Sequence, residues 1–163
     1  GTVGTSWAEL EVCGWAELAE MAASGHVLVE SHTRSLHFKV ATTGGPEPVF
    51  WHPETIPEHV DAANRTVLGG NAPVDGGRWQ PVLTDLAASR HEIARHTGRP
   101  PRWLAWPYGF AGAGLDSLDT ELGFRGTVSL KASRFTAADT SFQVGRVTLT
   151  AKTTLEQLAS IFP

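Results

Sequence analysis

Apolar residues recur at Trp15, Leu18, Ala19 and Ala22, the i, i+3, i+4 and i+7 positions that share one helical face. With Gly14 before them and Gly25 after, the pattern predicts a helix over 15–24. Ser6-x-x-Glu9 has the form of a capping box and offers an earlier start, at Ser6. The tetrapeptide WAEL, at 7 and again at 15, is too short to establish a repeat. Val27-Leu28-Val29 predicts a short buried strand that runs into Ser31–His37. From 41 to 81, glycines and prolines fall too close together for long regular elements, so this stretch reads as a loop-rich insertion within a single domain spanning 1–163. Periodicity resumes with Val82, Leu83, Leu86, Ala87, Ile93 and Ala94, a helix ending near His96 with Gly98 as its stop. Arg102–Trp106 predicts a strand, Leu115, Leu118 and Leu122 a helix closed by Gly123, and Arg125–Leu130 and Val144–Leu149 two further strands. Thr153-x-x-Glu156 opens a last helix carrying Leu155, Leu158 and Ile161.

Strands alternating with helices predict an α/β protein with a mainly parallel sheet, either open or part of a barrel. Four strands are few for a closed barrel of about eight. In such folds the chemistry gathers at the C-terminal ends of strands. Here those ends carry Ser31-His32-Thr33, Trp106-Pro107-Tyr108-Gly109, Leu130-Lys131 and Leu149-Thr150.

Composition narrows the class. The 13 Lys+Arg against 17 Asp+Glu give a net charge of -4, without the cationic excess that phosphate-backbone binding requires, which argues against a nucleic-acid role. No apolar run approaches the ~20 residues of a membrane span, and Gly1-Thr2-Val3-Gly4 lacks the order of a signal peptide. Cys13 is the single cysteine, which excludes an intramolecular disulfide or a cysteine-based zinc cluster.

His32 and His37 have four residues between them, within the H-x(3–5)-H spacing of paired imidazole ligands. On an ideal helix the two would diverge by roughly 140°, and on a strand they would face opposite sides. Shared ligation therefore requires an irregular turn between them. The spacing alone equally fits a strand-end His32 and a surface His37. Trp106 has two readings, a sugar-stacking ring and a core residue, whereas Trp103 reads as core. Glu30 shares a strand face with His32 by the period of two. His52, Glu54, Glu58 and His59 in the insertion read as a solvated loop or a second cluster. His96 reads as a dipole partner paired with Glu92, and Asp116 and Asp119 as solvating charges.

Val29-Glu30-Ser31-His32-Thr33-Arg34-Ser35-Leu36-His37 and Trp103-Leu104-Ala105-Trp106-Pro107-Tyr108-Gly109 together resemble polysaccharide deacetylases of the NodB-homology type, carbohydrate esterase family 4. The S-H-T-x-x-x-H spacing and W-P-Y-G turn are most similar to the branch of de-N-acetylases that act on biofilm poly-β-1,6-N-acetylglucosamine. Leu122-Gly123-Phe124-Arg125 and Gly145-Arg146-Val147-Thr148-Leu149 extend the likeness. The resemblance implies a deformed (β/α) barrel and hydrolytic de-N-acetylation of N-acetylglucosamine polysaccharide. It implies a divalent ion, zinc first and cobalt or nickel as alternatives, held by one aspartate and two histidines, with a second aspartate as general base. His32 and His37 match the metal histidines. Tyr108 matches the catalytic residue whose backbone N–H supports the oxyanion, and Trp106 and Pro107 the substrate-binding turn. An extracellular or cell-envelope location follows from the resemblance; oligomeric state does not.

The family's Asp-Asp strand has no counterpart in the sequence. Thr2–Trp7 resembles the family's second strand, so the expectation is an N-terminally incomplete domain whose aspartates lie roughly 30 residues upstream, at the family's spacing between first and second strands. Ala105 stands where ordinary members have an arginine, and Lys152 where they have a general-acid histidine. The alternative is a degenerate domain that binds glycan without catalysis.

Overall fold

The computed structural model describes residues 6–7, 10–56, 78–109, 122–130, 143–145, 149–150 and 152–161. Its elements follow the chain as a hairpin of β1 (Ser6–Trp7) and β2 (Leu10–Glu11), helix α1 (Trp15–Ala23), a second hairpin of β3 (Lys39–Thr42) and β4 (Gly45–Pro48), and helix α2 (Gln80–Thr97). Strands β5 (Trp103–Ala105), β6 (Gly126–Val128) and β7 (Gln143–Val144) and helix α3 (Leu155–Ile161) complete it.

The parallel sheet predicted from the alternation is present. β5 pairs with β6, and β6 with β7, all parallel, while Ser31 bridges to Leu104 of β5 in the same sense. Ser31, Leu104, Thr127 and Gln143 therefore lie in one row across the sheet. The residues that follow this row emerge together at one end, which is how His32 and the turn after Ala105 come to be neighbours.

The strand predicted at 27–29 is reduced to that bridge. Leu28 is 62% exposed and Val27 stands at the surface, so the run is not buried. The Glu30 carboxylate takes the Arg102 and Trp103 amides at 2.6 and 2.8 Å, occupying donors that a longer ladder would use. The early helix start at Ser6 is also overturned: Ser6 and Trp7 pair antiparallel with Glu11 and Leu10. α1 begins at Trp15, and the Glu17 side chain accepts from the Gly14 amide. The last helix is capped one residue later than predicted. Thr154 and Gln157 exchange amide-to-side-chain bonds at 2.9 and 3.1 Å, while Thr153 bonds back to Thr150. The final strand is shorter than 144–149, since Gly145, Leu149 and Thr150 are in no strand. The helix predicted at 115–122 lies outside the described residues except for Leu122.

α2 matches its predicted span, and Gly98 ends it in the left-handed conformation at φ 73°, its amide returning to Ala94 O at 2.9 Å. Its central turns are buried and supply Val82, Leu83 and Leu86 to a core shared with Leu36, Leu104 and Trp106. Val49, Phe50 and Ile56 also belong to this core, so the Gly/Pro-rich stretch holds structure through two 3-10 turns after the hairpin. Among the described residues no helix is long and apolar enough to cross a membrane.

Candidate functional site

The segment after Ser31 leaves the sheet through a strained turn. Thr33, buried and not a glycine, has φ 67°. Such backbone costs about 1–3 kcal/mol and persists where the surroundings over-determine it. Here they do. The Asp85 carboxylate accepts the amides of Arg34 and Ser35, each at 2.8 Å, and Thr33 Oγ1 accepts the Leu36 amide at 3.3 Å. Leu36 plugs fully into the core. The turn abolishes the strand's alternation, and His32 and His37 end on the same side with ring centroids 5.0 Å apart and planes at 59°.

The His32 ring is fixed in tautomer as well as place. Its Nδ1 lies 2.6 Å from Ala105 O, an acceptor only, so Nδ1 carries a proton and the neutral ring has its lone pair on Nε2. Metal-ligating histidines are commonly oriented in this way, by donating their other ring N–H to a carbonyl. The pair thus fits a divalent ion in donor chemistry. Among the described residues no third His, Cys, Asp or Glu joins it. Glu30 is engaged with the β5 amides and takes no part.

The turn after β5 brings up the other wall. Tyr108 sits at φ 61°, ψ 2°, and its ring stacks on His37 with centroids 4.9 Å apart. Lys39 Nζ lies 4.7 Å from the same ring centroid. Among the described residues nothing accepts from the Tyr108 N–H. Gly109 is left-handed at φ 77°, and a Cβ there would lie 2.3 Å from Leu130 Cγ, so only glycine allows this approach. Trp106 and Pro107 are buried. The Trp106 ring is 1% exposed and packs on Phe50 at 4.8 Å between centroids, so it presents no face to a sugar. Of its two readings Trp106 takes the core one, and the buried Pro107 follows it into the turn.

Beside His32 opens a cleft of about 210 Å³ between α1, α2 and the 29–34 segment, bordered by Trp15, Glu30, Arg34 and Glu92. Glu92 pairs with Arg34 at 3.1 Å rather than with His96, which stacks on Trp15 at 4.3 Å. His52 lies between Glu47 at 2.6 Å and Glu54 at 3.6 Å, a polar cluster where the second hairpin meets the 3-10 turns, while Glu58 and His59 lie outside the described residues, as do Asp116 and Asp119.

With this geometry in place, a family model for polysaccharide deacetylase matches residues 2–127. The chain belongs to the polysaccharide deacetylase family. Solved structures agree with that membership. The chain is similar to IcaB from Ammonifex degensii, at 28% identity and TM-score 0.70, over 98% of this chain and 57% of that one. The BpsB deacetylase domain from Bordetella bronchiseptica matches at 29% identity and TM-score 0.65, over 90% and 54%. A de-N-acetylase from Aggregatibacter actinomycetemcomitans shares the fold at 22% identity and TM-score 0.67, over 97% and 58%. This chain therefore spans a little over half the length of each. No curated protein matches it.

Sequence reasoning missed Asp85 and Ser89 of the deacetylase fold. Ser89 Oγ meets Ser31 Oγ at 2.8 Å in the interior, and Asp85 is wholly buried. Their signal was present: Asp85, Ser89 and Glu92 stand at i, i+4 and i+7 on one face of a helix.

Proposed function

We propose that this chain forms most of the catalytic domain of a metal-dependent de-N-acetylase that hydrolyses the acetamide of N-acetylglucosamine units in a polysaccharide, giving acetate and a free amine. The convergence of the His32 and His37 rings beside Tyr108 carries this reading. His32, through Nε2, and His37 would hold the ion. A divalent cation in such a site supplies Lewis-acid polarisation and lowers the pKa of water. The chain's own residues set the stage for it: Ala105 O holds the His32 tautomer, Tyr108 backs His37, and the Tyr108 N–H is available to an oxyanion.

The metal carboxylate and the general base are contributed from outside these 163 residues. No Asp-Asp pair occurs in the sequence, and the chain covers a little over half of its structural relatives. The domain is N-terminally incomplete in this reading, with 41–81 an insertion, and the complete enzyme works on poly-β-1,6-linked substrate at the cell envelope or outside the cell.

Acetate release from β-1,6-linked N-acetylglucosamine oligomers, by a protein extended upstream to include the aspartate strand, tests the activity with zinc, cobalt and nickel in turn. Release is expected, and its absence with every metal rejects the enzyme reading. His32→Ala is expected to abolish ion uptake; unchanged uptake rejects the ligand assignment. One fact favours a second reading, glycan binding without catalysis: among the described residues the two histidines have no third ligating partner. Oligomer binding without acetate release would select it.

A further inference from the structure

Helix α2 carries three polar side chains along one line, and all three address the histidine-bearing segment. Asp85 takes the amides of Arg34 and Ser35, Ser89 meets Ser31, and Glu92 pairs with the Arg34 guanidinium. Their i, i+4, i+7 spacing puts them on one face, over successive parts of residues 31–35. Asp85 and Ser89 are buried within a helix stretch that is otherwise core. A buried carboxylate is expensive unless its lone pairs are filled. Both Asp85 oxygens accept an N–H at 2.8 Å, and those two amides follow directly on the left-handed Thr33.

We infer that Asp85 is a positioning residue for the metal site: its carboxylate holds the 33–36 turn that folds His37 back toward His32, with Ser89 fixing the strand end. The inference rests on the ligand reading of the two histidines. Asp85 acts through the backbone, two residues from His32 on one side and two from His37 on the other. An asparagine cannot replace it. Its carbonyl oxygen accepts one amide, but its NH2 group meets the other N–H donor to donor.

The test is zinc titration of the protein extended upstream to include the aspartate strand, against a chromogenic chelator, with amide exchange at Arg34 and Ser35 followed by NMR. Asp85→Asn is expected to bind zinc about 10–100-fold more weakly, the range for lost outer-shell support, and to exchange faster at both amides. Phe124→Leu, a core change elsewhere, is expected to lower thermal stability while keeping wild-type affinity and protection at 34 and 35. Wild-type affinity and protection in Asp85→Asn overturn the inference. If the extended protein with Asp85 intact takes up no zinc, the ligand reading falls. Ring-to-ring NOEs between His32 and His37 then decide: their loss in Asp85→Asn supports the positioning role, and their survival overturns it. Should Asp85→Asn fail to fold, Ser89→Ala carries the test, with weaker uptake expected and unchanged uptake overturning the inference.

Discussion

The ring of His37 lies against the ring of Tyr108, centroids 4.9 Å apart and planes 29° from parallel. The residue whose backbone N–H is proposed to serve the site thus also braces one of the two proposed ligands, through its side chain. Tyr108→Phe keeps the ring and is expected to retain ion uptake within about twofold. Tyr108→Gly loses a contact of the size of an aromatic pair, ~0.5–1.5 kcal/mol, and is expected to weaken uptake about 2–10-fold. The same change relieves the left-handed backbone at φ 61°, so thermal stability should hold or rise. Uptake measured beside thermal unfolding separates the two effects. A parallel fall of both would show that the ring serves stability alone.

Gly109 fixes how closely the Tyr108 turn approaches the end of β6. A methyl group there would collide with the Leu130 side chain at 2.3–2.7 Å, on backbone that already disfavours a Cβ. Gly109→Ala is expected to cost more than ~2 kcal/mol, overpacking and left-handed strain together. Leu130 is half exposed, and Leu130→Ala clears the space at small cost. The double variant should recover part of the loss and leave the backbone share. Chemical denaturation of the four forms gives the coupling directly, and purely additive losses would contradict the contact.

Trp106 was open to a sugar-binding role and turns out to be core. Trp106→Ala is therefore expected to lower stability by about 3–5 kcal/mol, as large aromatic truncations do. Trp106→Phe should cost much less, because among the described residues the buried indole N–H has no partner, so its removal sacrifices no hydrogen bond there. Urea unfolding compares the two. A Phe variant as destabilised as the Ala variant would show that the N–H is satisfied after all.

The parallel sheet and α2 were legible because their signals are local: apolar periodicity, Gly98 at a helix end, short apolar strands after turns. The weak strand at 27–29 misled for a tertiary reason. Hydrophobicity there is real, but Glu30 diverts the neighbouring amides, a contact spanning more than seventy residues. The two histidines stood out through the family resemblance, their spacing alone being indecisive, and the need for a turn between them followed from the geometry of regular elements. What forces that turn was not readable, because the polar line of Asp85, Ser89 and Glu92 marks a helix face without naming what it meets, and Asp85 lies 51 positions from Arg34. Trp106 stayed open for a different reason: tryptophan suits a sugar platform and a core equally, and only the packing of Phe50 decides.

Asp85 also predicts a pH dependence. Burial raises its pKa above the ordinary 3.8, and the Arg34 and Ser35 amides oppose that rise. Between 3.8 and the raised value the folded chain keeps a proton that the unfolded chain has released. Unfolding free energy then falls as pH rises, because the unfolded state binds fewer protons. The Asp85 contribution is thus most favourable below pH 3.8, declines as pH climbs through the folded pKa, and is constant above it. Asp85→Asn lacks this titration but shares every other one. Stability of the unaltered chain minus that of Asp85→Asn, measured by urea unfolding at steps upward from pH 3, should decrease with pH and then level. An increase would mean that the two amide bonds outweigh burial and hold the carboxyl below its ordinary value. The loop would then be clamped chiefly by charge-assisted hydrogen bonds, with its cost in desolvation already offset.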